Sequence, residues 1–165
     1  MRQFRKVAVG GTFDELHRGH KTLLLKAFEV GDQVVIGLSS DALVKKMNKP
    51  HITAAYDERL QNLQAFLKSL ALLSRTEIVA LEDAYGTSVT DPHLEALVVS
   101  EETQRTALKI NELRQKSQLL PLAVITVNMV PSQNCTPIST TRIRKGEMDR
   151  EGRLLKNVGS GCRAV

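Results

Sequence analysis

The 165-residue sequence has no tryptophan, only two tyrosines and four phenylalanines, and no long apolar run. Proteins that bind single-stranded nucleic acid without sequence preference stack the bases on aromatic side chains, so this scarcity argues against such a surface. No stretch approaches the roughly 20 apolar residues that span a bilayer. The N-terminal MRQFRK leads directly into a strand pattern, without the apolar region of a signal peptide. We therefore expect a cytoplasmic protein that does not interact with a membrane.

Cysteine is also scarce. Cys135 and Cys162 lie far apart, and neither has a neighbour at the spacing of metal ligands. The sequence carries no signal for a disulfide between them, which leaves a reducing compartment as the default.

The balance of charge is basic, with 23 lysines and arginines against 18 acidic residues and a net charge of +5. A basic excess suits nucleic acid, and it equally suits a pocket for small phosphorylated ligands. The basic residues are scattered, with one local cluster at Arg142, Arg144 and Lys145. We therefore favour small polyphosphates over DNA or RNA.

Strand and helix patterns alternate along the whole sequence. Short apolar runs predict strands at residues 7–9, 34–38, 78–81, 94–99 and 124–130. Apolar residues at helical spacing predict helices at residues 20–30, 42–46, 57–73 and 103–116. This alternation predicts an α/β fold, a Rossmann-like doubly wound five-stranded parallel sheet with helices on both faces. One domain is expected over residues 1–156, followed by a flexible C-terminal tail at residues 157–165, which lack periodicity.

The segment VAVGGTFDELHRGH, residues 7–20, joins the first predicted strand to the first helix. Gly10 and Gly11 allow a ligand to approach the main chain, and the helix N-terminus behind them favours phosphate. His17 and His20 are three residues apart, so on a first helical turn they share a face and can donate to phosphate oxygens. The alternatives are a plain turn at the glycines and a metal site at the histidines, for which no third ligand lies nearby in sequence.

Three other polar residues have no motif that assigns them chemistry. Asp14 is interpreted as a turn or capping residue. His51 and His93 are isolated in the sequence, which favours surface or core roles for both.

Two segments resemble the signatures of the nucleotidylyltransferase superfamily. GGTFDELHRGH resembles T-x-F-D-x-x-H-x-G-H, which is related to the HIGH box of class I aminoacyl-tRNA synthetases, and ISTTRIRKGE at residues 138–147 resembles I-S-[ST]-T-x-I-R. The stretches SSDALVKKMNKPHITAAYDERLQNLQAFL and ALVVSEETQRTALKINELR are similar to the archaeal phosphopantetheine adenylyltransferases. The resemblance extends from about residue 7 to residue 152.

The resemblance implies a nucleotidyltransferase of coenzyme A biosynthesis. It would transfer AMP from ATP to 4′-phosphopantetheine and release dephospho-coenzyme A and pyrophosphate. The acceptor phosphate would attack the α-phosphorus in line, so the reaction needs two anions positioned and charge neutralised, and no side-chain nucleophile. Mg²⁺ is expected with ATP, bound through phosphates and water, with no protein metal ligands. The oligomeric state stays open.

The same resemblance implies roles for individual residues. His20, with His17 beside it, would stabilise the transition state as a catalytic residue. Lys49, the lysine before proline, would bind the attacking phosphate, and Thr12 would face both ATP and that phosphate. The other residues expected around ATP are Gly11, Phe13, Ser139, Thr140, Thr141 and Arg142.

Some of these positions keep two interpretations. Arg59 either assists Lys49 at the acceptor or forms an ion pair on its helix. Arg142 and Arg144 alternate in direction, so we expect one, Arg142, to reach the nucleotide and the other to be a solvated surface charge. Ser139 is either a phosphate contact or a simple helix cap.

Two departures from related families bear on specificity. Bacterial phosphopantetheine enzymes carry R-G-L-R after the fourth strand, where this sequence has SEET at residues 100–103, so no contact is carried over there. Cytidylyltransferases acting on small alcohol phosphates, the main alternative, typically carry R-T-x-G before I-S-T-T. Here the corresponding residues are Cys135, Thr136 and Pro137, which favours ATP. A second alternative is a non-catalytic nucleotide-binding regulator on the same fold.

Overall fold

One parallel sheet of five strands organises the molecule. The computed structural model describes residues 2–128, 130–133 and 135–155. The strands are β1 (Phe4–Gly11), β2 (Gly31–Ser39), β3 (Thr76–Leu81), β4 (Ala96–Ser100) and β5 (Ala123–Val127). Their order in the sheet is β3-β2-β1-β4-β5, and every pair of neighbours is parallel. This confirms the predicted fold class. The predicted tail at residues 157–165, which includes Cys162, lies outside the described residues.

The central strands are apolar because both faces of the sheet are covered. Val7 and Val9 of β1 pack in the core on one face, while Ala8 between them packs on the other. In the register of the sheet, Val9 pairs with Ile36 of β2 on one side and with Val98 of β4 on the other. These three side chains are at most 2% exposed and form the centre of the first core.

Five helices accompany the sheet. They are α1 (Arg18–Val30), α2 (Asp41–Lys46), α3 (Tyr56–Ser69), α4 (Gln104–Lys116) and α5 (Thr140–Arg144). Leu24 of α1 and Leu63 of α3 are fully buried on one face, and Ala107 of α4 is fully buried on the other. The helices therefore cover both faces, as predicted. None of them, within the described part of the chain, has the length and apolar character needed to cross a bilayer.

Two element boundaries differ from the sequence-based prediction. Gly31 is the first residue of β2, without the expected break after α1, and a Cβ there would lie 2.5 Å from Val7 Cγ2. The absence of a side chain thus lets α1 and β2 join closely over β1. Helix α3 ends at Ser69 instead of continuing to residue 73, because Ala71 adopts a left-handed conformation with φ of 55°.

The order of the strands fixes where a ligand is expected. Strand β1 lies between β2 and β4, so the direction of winding reverses between β1 and β4. Open α/β sheets bind ligands beyond the carboxyl ends of the strands at such a reversal. Gly10 and Gly11 form that end of β1.

Candidate active site

A cavity of about 770 Å³ opens at the carboxyl ends of β1 and β4. It is lined by the first signature, by the loop after α2, by the start of α4 and by the second signature. Of the residues predicted to act in the site, it brings together Gly11, Thr12, Phe13, His17, His20, Lys49, Ser139, Thr140, Thr141 and Arg142. The two signatures therefore meet around one space, although more than 100 residues separate them in the sequence.

The turn after β1 has an unusual backbone. Phe13, Glu15 and Leu16 all have positive φ, at 49°, 61° and 26°, and such positions cost of order 1–3 kcal/mol each in non-glycine residues. Burial holds the turn in place, because Phe13 is 1% and Leu16 8% exposed. The Phe13 ring lies against Gly11, where a Cβ would be 3.2 Å from Phe13 Cζ. The turn thus holds the residues between β1 and α1 in a fixed conformation.

His17 caps α1 and is not part of its first turn, contrary to the prediction. Its Nδ1 accepts hydrogen bonds from the backbone N–H groups of Gly19 at 3.1 Å and His20 at 3.4 Å. Since Nδ1 is an acceptor, the neutral ring carries its proton on Nε2. Burial lowers the pKa of His17 to about 4, against the opposing charges of Asp14 and Glu15. His17 is therefore a neutral donor at physiological pH.

His20 stacks on His17, with ring centroids 3.7 Å apart and an angle of 18° between the planes. The Phe13 ring contacts it edge-on at 5.4 Å. Burial lowers the pKa of His20 well below its ordinary value, and the nearby His17 and Lys49 lower it further, while Asp14 opposes them. Its Nδ1 is buried and has no hydrogen-bond partner among the described residues. The two signature histidines thus form a fixed, neutral pair beside the cavity.

The glycine between the two histidines has a packing reason. A Cβ at Gly19 would lie 3.0 Å from His17 Cε1 and 3.1 Å from His17 Nδ1. We expect Gly19→Ala to lower turnover by about 10- to 100-fold, since displacing a catalytic group by about 1 Å has effects of that size. Thermal unfolding should show little loss of stability, because alanine favours the helix by about 0.5–1 kcal/mol over glycine. Arg18→Ala, on the exposed start of α1, is the control, and equal turnover of both variants would contradict this account.

Lys49 reaches the cavity from the loop after α2. Its Nζ donates to Thr12 Oγ1 at 3.0 Å, so the two residues expected to share the acceptor phosphate are in contact. Burial lowers the pKa of the Lys49 ammonium from its ordinary value, Arg59 lowers it further, and the charges of Asp14 and Glu102 oppose that shift. An anion placed beside Lys49 and Thr12 would restore the stability of the charged form.

Arg59 does not line the cavity, and the expected contact with the acceptor is replaced by a contact beneath it. The side chain is 1% exposed. Its Nη1 donates to the carbonyl oxygens of Thr12 at 3.0 Å and Ser39 at 2.7 Å, and its Nε donates to Ala54 O at 2.8 Å. Nη2 also pairs with the half-exposed Asp41 at 3.0 Å, which is the ion pair foreseen as the other interpretation. Arg59 thus fixes the backbone that carries Thr12.

Asp14 is more than a turn residue, and Arg144 is not a solvated surface charge. Asp14 is 1% exposed and binds the Arg144 guanidinium through both carboxylate oxygens at 2.8 Å. Burial alone would raise the pKa of Asp14, but the bonds from Arg144 and from the Ala54 amide hold it below its usual range. This bidentate pair joins the first signature to the second, and the sequence gave no signal for it beyond the two charges.

The second signature begins at a capped helix start. Ser139 Oγ accepts from the backbone N–H of Arg142 at 3.3 Å, and Thr140 Oγ1 donates to Asp14 O at 3.0 Å. Arg142 lines the cavity, where its Nε donates to Glu147 at 3.0 Å and its Nη1 to Thr136. The capping role considered for Ser139 is therefore present, and its phosphate-binding role stays a prediction.

His51 belongs to the site, contrary to the expectation of a surface or core role. It lines the cavity, its side chain is 8% exposed, and its Nδ1 lies 3.0 Å from Thr141 Oγ1. Its Nε2 lies 3.8 Å from Asp14 Oδ2. Its position after the Lys-Pro pair was the only sequence signal that could have pointed to it.

A second, smaller cavity of about 200 Å³ adjoins the first on the α4 face of the sheet. Its lining is mostly apolar and includes Val35, Leu97, Val99 and Ile110. The residues common to both cavities are Gly10, Gly11, Ser39, Met47 and Thr103. Thr103 ends the 3-10 turn Glu101–Thr103 in the SEET segment, where its Oγ1 accepts from the Ser100 amide at 3.1 Å. A polar cavity thus continues into an apolar one at the end of β1.

Known proteins share this sequence and fold. The cytidylyltransferase-like family matches residues 8–146. A phosphopantetheine adenylyltransferase from Methanopyrus kandleri is 44% identical over 147 residues, covering 89% of this chain and 92% of that protein. Another, from Methanothermobacter thermautotrophicus, is 40% identical over 162 residues, covering 98% of this chain and 96% of that protein. A solved structure from Archaeoglobus fulgidus, described as a protein with unknown function, is 32% identical with a TM-score of 0.67 and covers 74% of this chain and 88% of that one. The chain therefore belongs to the phosphopantetheine adenylyltransferases, within the cytidylyltransferase-like family.

Proposed function

We propose that this protein transfers AMP from ATP to 4′-phosphopantetheine, giving dephospho-coenzyme A and pyrophosphate. The observation that carries the proposal is the single cavity in which the stacked histidines, the Lys49–Thr12 pair and the second signature meet. Such an arrangement places donors and a cation around two phosphate groups, which is what an in-line transfer between them needs.

The histidine pair is assigned to the α-phosphate of ATP. Charge develops on the non-bridging oxygens there as the acceptor attacks, and fixed donors stabilise it without reorganising. His20 and His17 are neutral and held by stacking and capping, so each can donate one hydrogen bond. Lys49 and Thr12 hold the attacking phosphate, with the lysine offsetting the repulsion between the two anions.

The second signature is assigned to the pyrophosphate end of ATP. The hydroxyls of Ser139, Thr140 and Thr141 and the guanidinium of Arg142 line the cavity opposite the histidines' signature. Gly11 and Phe13 shape the floor beside the nucleotide. The loss of R-T-x-G, with Thr136 and Pro137 lining the cavity in its place, supports ATP over CTP.

Mg²⁺ is proposed to arrive with ATP. Within the described ranges, no three His, Cys, Asp or Glu side chains are grouped so as to hold a metal ion. Asp14 lines the cavity, but both of its carboxylate oxygens bind Arg144. These residues suit an ion held by phosphate oxygens and water, which would neutralise part of the phosphate charge when bound.

The apolar cavity is assigned to the arm of the acceptor. It begins at Gly10 and Gly11, next to Thr12, so a phosphate held at Thr12 leaves the arm free to enter it. Its apolar walls suit the methyl and methylene groups of pantetheine, whose burial is favourable. Small alcohol phosphates have no group to fill this space.

A pyrophosphate-release assay tests the assignment. ATP and CTP are each combined with 4′-phosphopantetheine, glycerol phosphate and choline phosphate. We expect release only with ATP and 4′-phosphopantetheine. Release with CTP and a small alcohol phosphate would support a cytidylyltransferase, and ATP binding without any release would support a non-catalytic regulator.

Lys49 offers a test of the acceptor site. Lys49→Ala should raise the apparent KM for 4′-phosphopantetheine about 10- to 100-fold and lower turnover, since a hydrogen bond to a charged group contributes about 1.5–3 kcal/mol. The Kd of ATP alone, measured by calorimetry, should change little. Lys46→Ala, on the exposed end of α2, is the control. A loss confined to ATP binding, or no loss, would refute the role of Lys49.

A further inference from the structure

His51 connects the two signatures through its two ring nitrogens. Nδ1 lies 3.0 Å from Thr141 Oγ1 of the second signature, and Nε2 lies 3.8 Å from Asp14 Oδ2 of the first. Nε2 is fully buried and has no hydrogen-bond partner among the described residues. The side chain is 8% exposed, so this nitrogen is shielded from water as well.

A buried, unpartnered nitrogen beside a carboxylate is costly. A shift of roughly 1 Å would bring Nε2 into hydrogen-bond range of Asp14. Asp14 itself is held by the bidentate bond to Arg144, which leaves the ring of His51 as the part that can move. His51 follows Pro50 in the loop that also carries Lys49, so the ring sits between the two substrates' expected phosphates.

The contact with Thr141 decides what the ring can do. A threonine hydroxyl has one proton, and either it or Nδ1 donates in this hydrogen bond. When Nδ1 carries the proton, the hydroxyl proton is free to point into the cavity toward an anion. His51 can therefore fix both the place and the direction of the Thr141 hydroxyl.

We infer that His51 is a positioning residue that orients the Thr141 hydroxyl toward the terminal phosphates of ATP while Asp14 braces its other nitrogen. The inference rests on the proposed function for the identity of the nucleotide. It assigns His51 no contact with substrate of its own.

Calorimetry with ATP, pyrophosphate and AMP, without the acceptor, tests the inference. His51→Ala should weaken ATP and pyrophosphate binding about 3- to 10-fold, the range of one neutral hydrogen bond, and leave AMP binding unchanged. In a Thr141→Val background the same substitution should add almost nothing, because the hydroxyl it acts through is gone. His93→Ala, an exposed histidine distant in sequence, is the matched control.

Conservative variants keep the test decisive if His51→Ala does not fold. Asparagine places its amide near the position of Nδ1 and can donate to Thr141, whereas glutamine places it near Nε2. His51→Asn should keep most of the ATP affinity and His51→Gln should lose it.

The outcomes separate the inference from the proposed function. Equal loss of AMP and ATP binding, additivity with Thr141→Val, or no loss at all overturns the role of His51. A wild-type protein that binds ATP but releases no pyrophosphate with 4′-phosphopantetheine overturns the proposed function alone.

Discussion

His20→Ala is expected to lower turnover by about 10²–10³-fold, the usual cost of removing one preorganised donor from a developing oxyanion. The KM for 4′-phosphopantetheine and the Kd of ATP should change far less, because the hydrogen bond strengthens only as charge develops. His20 is well placed for this role: its ring is fixed between His17 and Phe13 and its low pKa keeps it neutral. Pyrophosphate release under saturating substrates measures the effect.

The control for His20 separates donation from packing. His20→Phe keeps a flat ring between His17 and Phe13 but has no N–H, so its turnover should be as low as that of His20→Ala. Recovery of turnover in the phenylalanine variant would show that the ring contributes only packing. Unchanged turnover in the alanine variant, with intact ATP binding, would remove His20 from the mechanism.

Most of the fold was predictable because its causes are local. Apolar runs such as Val34, Val35 and Ile36 are typical of strands covered on both faces, and their alternation with helical patterns predicts the parallel sheet. The errors arose where backbone conformation ends an element. The left-handed Ala71, for example, stops α3 although apolar residues continue past it.

The site was predictable only as far as its signatures reach. The residues inside the two motifs do line one cavity, but their connections run between positions distant in the sequence. Arg144 and Asp14 are 130 residues apart, and His51 and Thr141 are 90 apart. No periodicity or spacing encodes such pairs, which depend on how the sheet brings the ends of β1 and the second signature together. The same holds for the burial of Arg59 beneath Thr12.

Arg59→Met is expected to lower the free energy of unfolding by about 3–5 kcal/mol. Methionine preserves much of the alkyl volume, so the change removes mainly the guanidinium. The carbonyl oxygens of Thr12, Ser39 and Ala54 each lose a buried donor, and a polar group deprived of its partner costs about 1–3 kcal/mol. The ion pair with Asp41 adds little, because that carboxylate is 56% exposed.

Urea unfolding measures the effect, with Arg105→Met on the exposed surface of α4 as the control, for which the change should stay within about 0.5 kcal/mol. Arg59→Lys should be intermediate, because an ammonium cannot reach all three carbonyls in the planar arrangement of a guanidinium. Because Arg59 fixes the backbone of Thr12, the folded fraction of Arg59→Lys should also show a raised KM for 4′-phosphopantetheine. Full stability in Arg59→Met would contradict the positioning role, and a raised KM without any loss of stability would indicate that Arg59 contacts the acceptor directly.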